Sequence, residues 1–278
     1  MTAKSKAKAK DRKTCRFCGG DLTEPSREHV LPQWLQKHLN AARDPVPLVR
    51  HRPASKGEAV DLELFREEST ELRSHPASAY KAGRICADCN NGWMSALEDA
   101  VKPLFLPMLT ALPGAQCLWS DEEKLTVARW TLKTACAASV AMSSDLHDLP
   151  DISDDHYRLA RDFQALPAGM SVSYVLHPST QNYNAYHTRN WLLADPSLEN
   201  SAHLFSMSWK HSFQIKNLIL TVAFMPPASG LQVLLRGGFH CPVVSHRQRS
   251  YWQPYPALVG SADFCRAANM LLAAALAT

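Results

Sequence analysis

The sequence predicts an α+β protein in two parts. A small cysteine-stapled N-terminal domain is followed by an α+β domain that combines helices with an antiparallel sheet. Three observations predict this. Two CxxC pairs, Cys15/Cys18 and Cys86/Cys89, frame the first part. Ser120 with Glu123 three residues on is a capping-box signature, and it opens an apolar stripe of helical period. From Met170 the period becomes two, with Met170, Val172, Tyr174 and Leu176 alternating.

At 278 residues and 46% hydrophobic content the chain can build two packed cores. Its longest membrane-like run, "MLLAAALAT", is too short to span a bilayer, and "MTAKSKAKAK" lacks the apolar segment of a signal peptide. A cytoplasmic location is therefore expected. Eight cysteines in such a chain are expected to stay reduced, and four of them fall in the two CxxC pairs, which favours metal over disulfides.

Residues 1–13 form a basic arm with six basic residues against Asp11, a net +5; the other 24 basic and 25 acidic residues sum to −1. So polar an arm is expected to be disordered in isolation, serving either as a solubilising tail or as a non-specific phosphate contact. Residues 14–110 form the stapled domain, with a polar insertion at about 41–80 carrying one short strand. "EHVLPQWLQKHL" begins strand-like, is broken by Pro32, and resumes as a short helix. Trp93, Leu97, Val101 and Leu104 give the next helix one face, interrupted by Pro103 and Pro107. Residues 120–278 form the second domain. Its first helix runs from Ser120 to about Met142, its second from Asp154 to Leu166, and its last over 261–277. Strands are expected around residue 172, over Phe205–Trp209, in "LILTVAF" and in "LQVLLRGGF".

Cys15, Cys18, Cys86 and Cys89 offer the four thiolates that a tetrahedral zinc takes, with Gly19 and Gly20 easing the first turn. A site closed by four thiolates is structural, and the 67 residues between Cys18 and Cys86 must loop out between its halves. A single CxxC also fits a redox pair or two core cysteines. Between the knuckles, "REHVLPQWL" sets Glu28 beside His29, and "CADCNNGWM" sets Asn90 and Asn91 directly after Cys89.

In order, "CRFC", "EHVLP" and "CADCN" resemble the HNH endonuclease family, also called His-Me finger or ββα-metal nucleases. The resemblance covers about residues 14–105 and points to a branch in which asparagine replaces the final histidine. It implies a zinc-stapled ββα-metal domain that hydrolyses DNA phosphodiesters, leaving 5′-phosphate and 3′-hydroxyl ends. It also implies His29 as general base, and Glu28 and Asn90 as ligands of one catalytic Mg²⁺ or Mn²⁺, with Asn91 the rival ligand. These types suit the chemistry: an imidazole can take a proton from water near neutral pH, and hard oxygen ligands suit such a cation. The chain departs from the family in one respect. Members have an asparagine that orients the base loop, yet no asparagine occurs between Asn40 and Asn90, so part of "SAYKAGRIC" or the insertion must replace it.

DNA is the expected partner, with restriction or phage defence as the setting the resemblance implies. RNA or structured DNA is the alternative substrate, and a non-catalytic zinc-stapled binding module the alternative class. The second domain shows no comparable constellation; substrate choice, a homodimer contact or a regulatory contact all remain open for it. Cys117, Cys136, Cys241 and Cys265 are expected as buried thiols, and Trp130, Trp191, Trp209 and Trp252 as core.

Overall fold

The computed structural model describes residues 14–22, 25–51, 69–111, 118–146, 152–167, 169–189, 209–224, 231–234, 241–244 and 273–276. In chain order the elements are β1 (Pro25–His29), α1 (Gln33–His38), β2 (Pro45–His51), β3 (Ser69–Pro76), β4 (Lys81–Cys86) and α2 (Ala87–Cys89). A π-helical turn (Asn90–Met94) leads into α3 (Ser95–Leu109), and then come α4 (Asp121–Leu146) and α5 (Asp154–Arg161). The strands β5 (Met170–Leu176), β6 (Tyr183–Arg189), β7 (Trp209–Ile215), β8 (Leu218–Phe224), β9 (Leu231–Leu234), β10 (Cys241–Val244) and β11 (Ala273–Leu276) complete the described chain. The architecture is α+β.

Two antiparallel strands and a helix form the N-terminal unit. β1 pairs with β4, His29 opposite Lys81 and Pro25 opposite Cys86, with an irregularity between Ser26 and Glu28. Pro32 precedes α1 in extended backbone, as a residue without an N–H does at a helix start. The buried Gln36 amide then donates to the Leu31 carbonyl at 2.7 Å and ties α1 to the turn beneath it. Past β4 the chain turns directly into helix. Pro103 and Pro107 were expected to interrupt α3, yet it runs through both. Both prolines are exposed and four residues apart, so the carbonyls they leave without partners, those of Asp99 and Pro103, stay near solvent.

The insertion is more ordered than its composition suggests. It contributes two strands, β2 and β3, and both join the main sheet, whose order is β10-β5-β8-β7-β6-β2-β3. Every pairing there is antiparallel except β2 with β6, where Leu48 to His51 run parallel to Ala185 to Thr188. Asn182 beside β6 donates to the Asp44 carboxylate beside β2 and fastens that join. Residues 52–68 lie outside the described residues.

Helix α4 sits between the hairpin unit and the sheet. From Val127 to Ala141 all its residues except Arg129 are buried, and it packs against β4, α3, α5, β8 and β10. A helix buried on every side lies inside a core, and the alanines at 128, 135, 137, 138 and 141 let its neighbours approach closely. The expected capping box is present: Ser120 N–H donates to Glu123 at 2.7 Å and Glu123 N–H donates back to Ser120 Oγ at 3.2 Å. One continuous core runs from Cys15 through α4 to Val222, with Trp130 and Trp209 inside it.

Two expected helices differ. α5 ends at Arg161, not Leu166, because Arg129 of α4 donates to the Ala160 carbonyl at 3.1 Å and to that of Arg161, satisfying the last turn from outside. The expected last helix gives way at Ala273–Leu276 to β11, which pairs antiparallel with Leu231–Leu234 of β9. The open edge of β9 supplies ladder partners, which outweighs alanine's preference for helix. Of the other expected features, the basic arm, Trp191, Trp252, Cys117, Cys265 and Phe205 to Ser208 lie outside the described residues.

Candidate functional site

Each CxxC lies on a turn closed by backbone hydrogen bonds. In the first, Gly19 N–H donates to the Cys15 carbonyl and Cys15 N–H to that of Gly20, both at 2.8 Å. Gly19 has φ of 73°, a conformation glycine adopts without a Cβ penalty. In the second, Cys86 leaves β4 in extended backbone and its sulfur accepts from Cys89 N–H at 3.4 Å, in the manner of a helix cap. Arg16 N–H donates to the Arg84 carbonyl at 3.1 Å and brings the two turns together.

The four sulfurs lie within 4.8 Å of one another, close enough to bind one metal ion. Cys15 and Cys89 are 3.9 Å apart and Cys18 and Cys86 3.7 Å, matching the ~3.8 Å edge of a tetrahedron with Zn–S bonds of about 2.3 Å. Cys86 N–H points at the Cys15 sulfur and Gly20 N–H at the Cys18 sulfur, both at 3.4 Å, an arrangement that favours thiolates. Burial works against the Cys15 thiolate, but backbone hydrogen bonds from Cys86, Cys18 and Phe17 and a side-chain bond from Cys18 together outweigh it and lower its pKa. For Cys89 burial wins and raises the pKa, a cost that a bound cation would remove. Among the described residues no second group of three or more His, Cys, Asp or Glu side chains converges in this way. Phe17, at the centre of the first knuckle, packs edge-on against Trp93 and Tyr157. Arg16 lies over Tyr157 and pairs with Asp154 at 2.9 Å, so α5 braces the knuckle.

Glu28 and His29 end β1, and their environments differ. His29 is half-buried, and its Nδ1 lies 3.3 Å from the Gln33 side-chain amide. Burial and the Lys81 ammonium lower its pKa, against the opposing pulls of Glu28 and of a hydrogen bond to the Ser78 backbone. The ring is therefore neutral, and able to accept a proton, at neutral pH. Ser78 opens the segment "SAYKAGRIC", where a substitute for the missing loop asparagine was expected.

Glu28 is buried, at 7% exposure. Its Oε1 accepts a hydrogen bond at 2.7 Å from Lys133 of α4, whose ammonium also donates to Glu98 Oε1 of α3 at 2.8 Å. Burial alone would deprotonate Lys133, but the two carboxylates outweigh it and raise its pKa, so it is charged. Motif reasoning missed this triad. The signal was present: Lys133 is a lone cation inside "WTLKTACAASVAM", and a charge within an apolar helix demands a buried partner.

Asn90 follows Cys89 with helical backbone and is half-buried; Asn91 is exposed. Both lie in the π-helical turn, where Gly92 departs from helical geometry at φ −90° and ψ −110°. Trp93 is half-buried against Phe17, under the Arg129 guanidinium at 5.0 Å, and so has a packing role. Cys136 is a buried thiol, as expected. Among the described residues no helix is long and apolar enough to cross a membrane. Compared with protein-family models, with curated proteins and with solved structures, the chain finds no match.

Proposed function

We propose that the chain is a metal-dependent endonuclease of the HNH type, acting on DNA. One observation carries the reading: the Glu28–His29 strand end is antiparallel to β4, and β4 runs through the cysteine cluster straight into the helical turn bearing Asn90 and Asn91. One cysteine-bound frame of two strands and a helix thus carries the imidazole, the carboxylate and the carboxamide that this chemistry uses. Zinc is the ion this all-thiolate set suits, and its role is structural, because no position is left open for substrate. His29 takes the proton from a water molecule as that water attacks the phosphorus, and the P–O bond to the 3′-oxygen breaks; the departing 3′-alkoxide takes its proton from solvent water to become the 3′-hydroxyl. Glu28 and Asn90, with Asn91 the rival, hold one Mg²⁺ or Mn²⁺, which supplies charge stabilisation at the phosphate. A single carboxylate oxygen plus a carboxamide is a sparse donor set, so a cation held there would bind most tightly with DNA present.

A second reading rests on the Glu28–Lys133 pair. If that pairing is purely structural, the hairpin is a zinc-stapled binding module without catalysis. Incubating the full-length protein with supercoiled plasmid, with and without Mg²⁺ or Mn²⁺, separates the two. Nicking or linearisation that requires the cation supports the nuclease, and DNA retention without cleavage in either metal supports the binding module. Faster turnover of RNA than of plasmid would reassign the substrate.

A further inference from the structure

We infer that Lys133 is a positioning residue for Glu28: by holding Oε1 it turns the other oxygen towards the catalytic cation, so α4 sets the cation affinity of a site carried on the β1–β4 hairpin. This deepens the nuclease reading and rests on it. The Lys133 ammonium is fully buried, reaches Glu28 at 2.7 Å and Glu98 at 2.8 Å, and so joins β1, α3 and α4 at one point. A group with no exposure cannot touch a phosphate or exchange protons with solvent during a reaction; it can only act through the groups it holds. A carboxylate free to rotate offers a cation a dispersed target, whereas one fixed by a charged hydrogen bond presents a single oxygen in one orientation. Buried ion pairs add little net stability compared with apolar side chains of similar size, so folding alone gives weak reason for this triad.

The test compares the full-length wild type with Lys133→Met and with the charge-balanced double variant Lys133→Met/Glu98→Met. Each variant is checked for zinc content and circular dichroism. Plasmid cleavage is followed across Mg²⁺ and Mn²⁺ concentrations. Mn²⁺ binding is measured separately by electron paramagnetic resonance on DNA complexes in the His29→Ala background, where the DNA stays intact. The expected result is a half-saturating metal concentration raised roughly 10- to 100-fold in both readouts, the scale typical of groups that orient a metal ligand, with the rate at saturating metal within about threefold of wild type. A folded, zinc-loaded variant with the wild-type metal midpoint overturns the inference. So does a loss of rate that is uniform across metal concentrations with unchanged Mn²⁺ binding, or failure of both variants to fold, either of which would make the triad a folding device. If the wild type itself cuts in neither metal, the nuclease reading falls and takes this inference with it; cleavage with an unmoved midpoint removes only the inference.

Discussion

Cys89 and Asn90 are neighbours in the chain and are assigned to different metals. The Cys89 sulfur points back to the cluster shared with Cys15, Cys18 and Cys86, and Asn90 begins the π-helical turn. Substitutions at the two should therefore fail differently. Cys89→Ser should lose both zinc and fold, since a structural thiolate site contributes its binding energy to folding, whereas the wild type should carry about one zinc per chain by elemental analysis. A Cys89→Ser protein as stable as wild type would contradict the cluster's role. Asn90→Ala should keep its zinc and raise the Mg²⁺ requirement, with partial recovery in Mn²⁺, which nitrogen and oxygen donors hold more tightly. Asn91→Ala should be milder, and the reverse ranking in metal titrations would exchange the two roles. At this scale the sequence was legible where spacing encodes geometry: the four cysteines converge as their CxxC spacing implied. It was illegible where a contact joins distant segments. Glu28 and Lys133 lie 105 positions apart, and no local pattern pairs them.

At the scale of elements, the capping box and helical stripe located α4, alternation located β5 and an apolar run located β8, all closely. It missed where elements stop. α5 ends where the Arg129 guanidinium caps it, and the insertion becomes strand because β6 offers it a parallel edge; both causes lie outside the local sequence. α5 also carries a pH-sensitive group. His156 stacks edge-on against Trp209 and Phe224, its Nδ1 3.0 Å from Ser153 Oγ, and burial pulls its pKa down to about 4 against the opposing charge of Asp155. The unfolded chain, with an ordinary imidazole near 6.5, takes up this proton first on acidification. The contribution of neutral His156 is therefore complete above about pH 6.5 and is lost as the pH falls towards 4. In urea denaturation between about pH 7.5 and pH 5, wild type should lose roughly 2 kcal/mol more than His156→Asn, which keeps an acceptor but cannot charge. Parallel losses in the two proteins would show that His156 is not held neutral.

Over the whole molecule, one core joins regions that the sequence divides into two domains. The sheet takes β2 and β3 from the first, and α4 of the second lies against β4 and supplies Lys133 to Glu28. The division was drawn from motif content, and motifs do not report which faces share a core. The basic arm is the one segment expected to act independently. Deleting residues 1–13, with their net +5, should weaken DNA binding most at low salt and flatten its salt dependence, while turnover on saturating DNA stays within about twofold, because such contacts are screened and carry no chemistry. An unchanged salt slope would make the arm a tail. The claim on which the rest depends is that His29 is the base of a cation-dependent phosphodiester hydrolysis. The measurement that tests it most directly is plasmid cleavage in Mg²⁺ or Mn²⁺ by wild type and by His29→Ala, with zinc content and DNA affinity measured on both. The account predicts cleavage by wild type only with the cation, and a fall of roughly 10²- to 10⁴-fold in His29→Ala with zinc and affinity retained. A His29→Ala protein that cuts at the wild-type rate, or a wild type that cuts in neither metal, would contradict it.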